Sequence, residues 1–194
     1  MFSDSICQWT TVTKGGFLFM KNTKNTANQI AKECLVTALI QLLKEKNLSE
    51  ITISELTNKA GVSRMTYYRN YTTKEDIFTR HLQDIFAAYR QEFYEQDCHT
   101  EFFDMPNMLH CFQYFSIHKE FLNTLFAGGM GQLFLTELSD YILSMWYHDS
   151  DSIERYYTLQ AFAGSLYNVY LSCFADSSSP SGEELAKIIY KIYS

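Results

Sequence analysis

The chain has 194 residues, 46% of them hydrophobic and 16% aromatic, with a formal net charge of −6. That is enough apolar material for a full core, and only two prolines and eight glycines interrupt it, which favours long helices over a strand-and-turn fold. The five cysteines, at 7, 34, 98, 111 and 173, show no CxxC spacing, and no apolar run reaches the eighteen or so residues of a membrane span. These features exclude a disulfide-stapled secreted domain and a membrane protein, and they imply a cytoplasmic one with reduced thiols.

The charge is unevenly divided. Residues 20–80 carry ten Lys/Arg against six Asp/Glu, net +4, whereas residues 81–194 carry five against fifteen, net −10. A basic third on an acidic body fits one end that faces phosphate and another that avoids it.

Residues 1–19 lack helical period. They include Lys14-Gly15-Gly16, which a ribosome-binding AAA-GGA-GG would encode if translated in frame. Met20 is therefore read as the natural start and 1–19 as a non-native or disordered extension, the alternative being a genuine N-terminal arm. From about Thr26 to Lys46-Asn47, Ile30, Cys34, Leu35, Ala38, Leu39, Leu42 and Leu43 recur at helical steps. Leu48–Ile51 is a connection. Thr52 then caps a short helix, with Glu55 completing a capping box and Gly61 stopping it. Ser63 caps a second short helix running to Asn70. Thr73 opens a third, with Glu75 and Asp76 in its first turn, which runs to about Glu95. Beyond Cys98 the period predicts helices over 105–116, 118–127, 130–147, 152–174 and 182–193, with no strand alternation anywhere.

Residues 52–71 thus have the spacing of a helix-turn-helix, whose second helix enters the major groove of DNA. Its exposed side chains have the chemistry for that task. Arg64 and Arg69 can reach phosphate or guanine, and Met65 and Thr66 can meet a thymine methyl. Thr52 and Ser63 sit at helix N-termini, which favour anions.

The run Ile53…Leu56…Ala60-Gly61-Val62-Ser63…Thr66-Tyr67-Tyr68…Tyr71…Lys74-Glu75…Ile77 resembles the DNA-binding signature of the TetR family of transcriptional regulators. The resemblance covers about fifty residues. Beyond them the chain matches the family only in helix number and length. It implies an all-α fold: a three-helix DNA-binding domain over 20–72 and a helical effector-binding and dimerisation domain over 73–194. It also implies a homodimer on a double-stranded operator and a small-molecule effector. Separately, no nucleophile–base motif, phosphate-binding loop or paired-carboxylate spacing is found, so no enzyme is expected. By the same resemblance Tyr68 contacts phosphate and Lys74 anchors to the DNA backbone, while Tyr67 packs inward. Four positions depart from the common pattern. Thr57 stands where Ala is usual, Met65 where Gly, Pro or Ala is frequent, Asn70 where His or Tyr often sits, and Tyr71 in place of Phe. Met65 and Asn70 bear on which operator is read.

In the body, Phe86, Tyr89, Phe93, Phe112, Phe115, Phe126, Phe134, Trp146 and Tyr167 are expected to line the pocket of an apolar or aromatic effector, if they are not simply core. Tyr156, Gln160, Ala163, Gly164, Tyr167, Tyr170, Leu171 and Phe174 are expected on the dimer seam. No cofactor is expected, and no metal either. Cys98-His99 and His110-Cys111 are adjacent pairs that point to different helix faces, which makes them poor chelates. The operator, the effector and the sign of regulation are left open: a repressor, an activator or coactivator, a metal-responsive regulator and a protein-docking platform all share these features.

Overall fold

The computed structural model describes residues 23–95, 101–175 and 180–194. The expectations for residues 1–19 and for Cys98 and His99 lie outside the described residues. Nine α-helices and no strands form among them: α1 Thr23–Leu43, α2 Ile53–Ala60, α3 Arg64–Asn70, α4 Glu75–Glu95, α5 Met105–Ile117, α6 Lys119–Ala127, α7 Gly131–Trp146, α8 Ile153–Ala175 and α9 Gly182–Tyr193. None of these helices is long and apolar enough to cross a membrane.

Local chemistry sets most of the boundaries. The Thr52 hydroxyl accepts from the Glu55 N–H at 3.2 Å, and the Ser181 hydroxyl likewise caps α9 from Glu184. Thr73 accepts from the Asp76 N–H, and the Asp76 carboxylate accepts from the N–H groups of Thr72 and Thr73 at 2.8 and 3.2 Å. Those two backbone bonds hold the Asp76 carboxyl below the usual carboxylate range. The expected α1 ran too far. It ends at Leu43, and Glu45 and Lys46 instead bond back to the Leu42 carbonyl.

Helices α1 to α3 form a head around Leu35, Leu39, Leu42, Ile51, Leu56, Tyr67 and Tyr71, all buried. Ile30, expected inward, is 54% exposed. Thr57, unusual for the motif, is buried without penalty because its hydroxyl donates to the Ile53 carbonyl at 2.8 Å. Helix α4 leaves the head and enters the body. There α7 packs along α8, and α5 along α9. Lys44 at the end of α1 pairs with Glu120 of α6 at 2.6 Å, beside a surface cleft of about 610 Å³ between the two elements.

Candidate nucleic-acid interface

The turn between α2 and α3 fixes the interface. Gly61 takes φ 67°, ψ 25°, its N–H reaching the Asn58 carbonyl, while the Val62 N–H reaches that of Thr57 at 3.0 Å. Only the left-handed backbone demands glycine here, since a Cβ would meet nothing within 4 Å. Ser63 then caps α3 by accepting from the Thr66 N–H at 3.1 Å, with the Thr66 hydroxyl 2.9 Å from its own. The inner side of α3 is nailed down by Tyr67, fully buried, with its ring edge-on to Tyr68 at 5.2 Å.

The outer side carries Arg64, Met65, Tyr68 and Arg69, all exposed, with Met65 at 72% and Tyr68 at 58%. Neither arginine is held in an ion pair among the described residues. These four form one contiguous surface of two guanidiniums, a phenol and a thioether, with Thr66 half-buried beside them.

Two residues expected on this surface are turned elsewhere. Asn70 faces α1: its amide and that of Asn28 exchange two hydrogen bonds, 2.9 and 3.1 Å, and it also donates to the Thr66 carbonyl at 2.8 Å. It locks α3 to α1. Lys74 is half-buried and its ammonium donates to the carbonyl of Ile51 at 2.7 Å and to that of Leu48. It clamps the connection between α1 and α2, with one N–H left over for an anion. Sequence reasoning missed Asn28, whose partner lies 42 residues away.

In the body, the expected pocket residues form a packed set. Phe86, Tyr89, Phe93, Phe112, Phe115 and Phe134 are buried, and Phe126, Trp146 and Tyr167 are half-buried against them. Their rings touch one another: Phe115 lies edge-on to Phe134 at 5.5 Å, and Phe93 edge-on to Trp146 at 5.3 Å. The space beside Tyr89 and Trp146 is about 10 Å³, too small in this conformation for a drug-sized guest at that point.

The seam on α8 needs correcting. Ala163 and Tyr170 are buried inside the chain, on the face of α8 made by Leu159, Phe162, Ala163, Leu166 and Tyr170 that packs into the body. Gln160 donates to the Tyr156 hydroxyl at 3.3 Å, both half-buried, and Tyr167 packs on Phe126. The side chain of Phe174 lies outside the described residues. The outward stripe is instead Tyr157, Ala161, Gly164, Asn168 and Leu171, so only Gly164 and Leu171 of the expected set lie on it. Helix α9 adds exposed Ile188 and Ile192. Of the adjacent His–Cys pairs, the described one diverges: Cys111 faces Tyr170 and His110 faces Glu92.

This order of helices, with a helix-turn-helix head on a helical body, is the fold of the TetR transcriptional regulators. No family model matches the chain, and no curated protein does. Solved structures do. Lin0861 from Listeria innocua is similar with a TM-score of 0.70 at 15% identity, over 91% of this chain and 94% of that one. A TetR transcriptional regulator from Streptococcus agalactiae gives 0.57 at 21% identity, over 88% and 97%. DhaS, the dihydroxyacetone kinase operon activator, gives 0.59 at 16%, over 84% and 94%.

Proposed function

We propose that this protein is a non-catalytic, cytoplasmic transcriptional regulator of the TetR type, binding a two-fold operator as a homodimer through α3. One observation carries the reading: a capped helix held by Tyr67 and the Asn28–Asn70 pair presents Arg64, Met65, Tyr68 and Arg69 together to solvent. Arginines at such a position pair with phosphates or guanine edges, and Tyr68 reaches the backbone. Residues 20–72 serve as the DNA-binding domain, and 73–194 as the effector and dimer domain. A small apolar or aromatic effector, entering among the body's rings, alters the spacing of the two heads through α4. Repression relieved by that effector is the first reading. Activation is the second, favoured by the likeness to DhaS, itself an operon activator.

Fluorescence anisotropy on DNA flanking its own gene tests the proposal. The protein should retain a specific fragment against excess competitor and footprint a two-fold site. Binding no tighter than to random DNA would sink the reading. Transcription in vitro from that fragment decides between the two signs.

A further inference from the structure

The apolar core of the body contains a polar knot where α4, α5, α7 and α8 meet. Tyr170 on α8 donates its hydroxyl to the Cys111 carbonyl on α5 at 3.1 Å, and lies 3.1 Å from the Cys111 thiol. The Tyr89 phenol, from α4, stands beside the same thiol. Burial pushes Tyr89 and Tyr170 well above the ordinary phenol range and raises the thiol too, so all three keep their protons. Tyr141 on α7 closes the group, its ring 5.0 Å from that of Tyr89.

The Tyr141 hydroxyl differs from its neighbours. The residue is 2% exposed, and among the described residues its oxygen has no partner in full bonding geometry. Burial pushes its phenol up, and the Tyr89 hydroxyl beside it acts the other way, as a donor would, leaving the Tyr141 proton without an acceptor. Buried donors are nearly always paired, so an orphan beside a void marks a place for a guest. The void is about 10 Å³, room for one water at most, and is lined by Tyr89, Met108, Cys111, Tyr141, Trp146 and Phe162 among others. Two of these walls can yield. Met108 is unbranched and adaptable. Trp146 sits half-buried on the last residue of α7, resting on Phe93 and Tyr141.

We infer that this is the closed state of a binding site for a small uncharged molecule with an apolar, preferably aromatic, body and one acceptor oxygen. A ketone or aldehyde carbonyl is the type, taking its hydrogen bond from Tyr141. The guest is uncharged because no charged side chain lines the void and an unpaired charge there is prohibitive. The inference deepens, and rests on, the reading of the body as an effector domain.

Acetophenone and ethylbenzene, alike in shape but differing in the carbonyl, separate the possibilities. In a Trp9→Phe background the sole indole N–H resonance belongs to Trp146, and titrating each probe against it gives a Kd. Acetophenone should bind roughly three- to tenfold tighter than ethylbenzene, the usual worth of one neutral hydrogen bond, and Tyr141→Phe should abolish or reverse that preference. Tyr141→Phe removes only a hydroxyl with no partner in full bonding geometry, so the fold is kept. A preference unchanged in Tyr141→Phe overturns the inference, as does an indole resonance that moves with neither probe. If the order of binding is as expected but operator affinity never responds, the site stands and the effector-controlled reading falls instead.

Discussion

At the scale of single residues, the helix-turn-helix divides into groups that hold it and groups left free for a partner. Arg64 and Tyr68 belong to the second kind, so Arg64→Ala and Tyr68→Ala should each weaken operator binding about tenfold or more while circular dichroism and melting stay unchanged. Arg64→Ala should also flatten the dependence of log K on log salt by about one unit if it serves a phosphate. Asn70 belongs to the first kind. Asn28→Ala and Asn70→Ala should each cost about 1–2 kcal/mol of stability, and the double variant little more than either alone. Additive losses in urea melts would mean the amide pair contributes nothing. This division was only half legible beforehand. The motif names the polar residues of α3, but whether Asn70 faces a base or α1 depends on a partner 42 residues away, and Lys74 on carbonyls at Leu48 and Ile51.

His81 adds a residue-scale pH effect. It lies between α1 and α6, its ring 4.6 Å from that of Phe121, and burial with the neighbouring His118 brings it down to about 4. Burial lowers His118 in the same direction. Folding shifts both toward the neutral form, so the unfolded chain takes up protons more readily at each. Stability is therefore fully present above about pH 6.5 and should fall as the pH drops from there toward 4, by at most about 1.4 kcal/mol per unit for each group. His81→Phe should shallow that slope in chemical melts at pH 4.5–6.5. An unchanged slope would show that His81 titrates normally.

At the scale of elements, caps were read correctly because they are local chemistry. The Thr52 cap on the Glu55 N–H, Ser63 with Thr66 and Gly61 at its positive φ need no knowledge of the rest of the chain. The return bond expected of the Glu55 carboxylate, by contrast, is not made, because that carboxylate pairs with Lys46. Ser63→Ala should cost about 1 kcal/mol, and Gly61→Ala about 1–2 kcal/mol through its backbone alone, since the space around it is open. Both are readable as shifts in urea midpoint at constant m-value. The phase of a buried helix is a different matter. In α8 nearly every face carries apolar or small residues, so periodicity alone does not choose the one that packs into the body. The sequence reading rotated the helix by roughly one residue, placing Ala163 and Tyr170 outside when packing takes them inside. The same ambiguity surrounds the aromatic set of the body, where residue type does not distinguish rings that line a cavity from rings that fill one.

At the scale of the whole molecule, the homodimer proposed above would set the two basic heads side by side and use the exposed stripe on α8 as the contact between bodies. A single α3 reads too few bases for specificity, so the regulator proposed here needs a partner copy. Tyr157 at 65% exposure, Leu171 at 38%, Ile188 at 49% and Ile192 at 66% are apolar side chains that a monomer leaves in water. Gly164 gives the cleanest test of where the copies meet. A Cβ added there meets no neighbouring atom of the described residues within 4 Å, and replacing glycine inside a helix favours the isolated protomer by about 1 kcal/mol. Gly164→Leu therefore has no reason to unfold the protein. If the stripe is the seam, the leucine must meet the partner helix, and light scattering at micromolar concentration should show the dimer of the unmodified protein shifted toward monomer. Operator affinity should fall with it, while helicity stays intact. A Gly164→Leu protein that remains dimeric and binds its operator as before would place the contact between copies away from this face of α8.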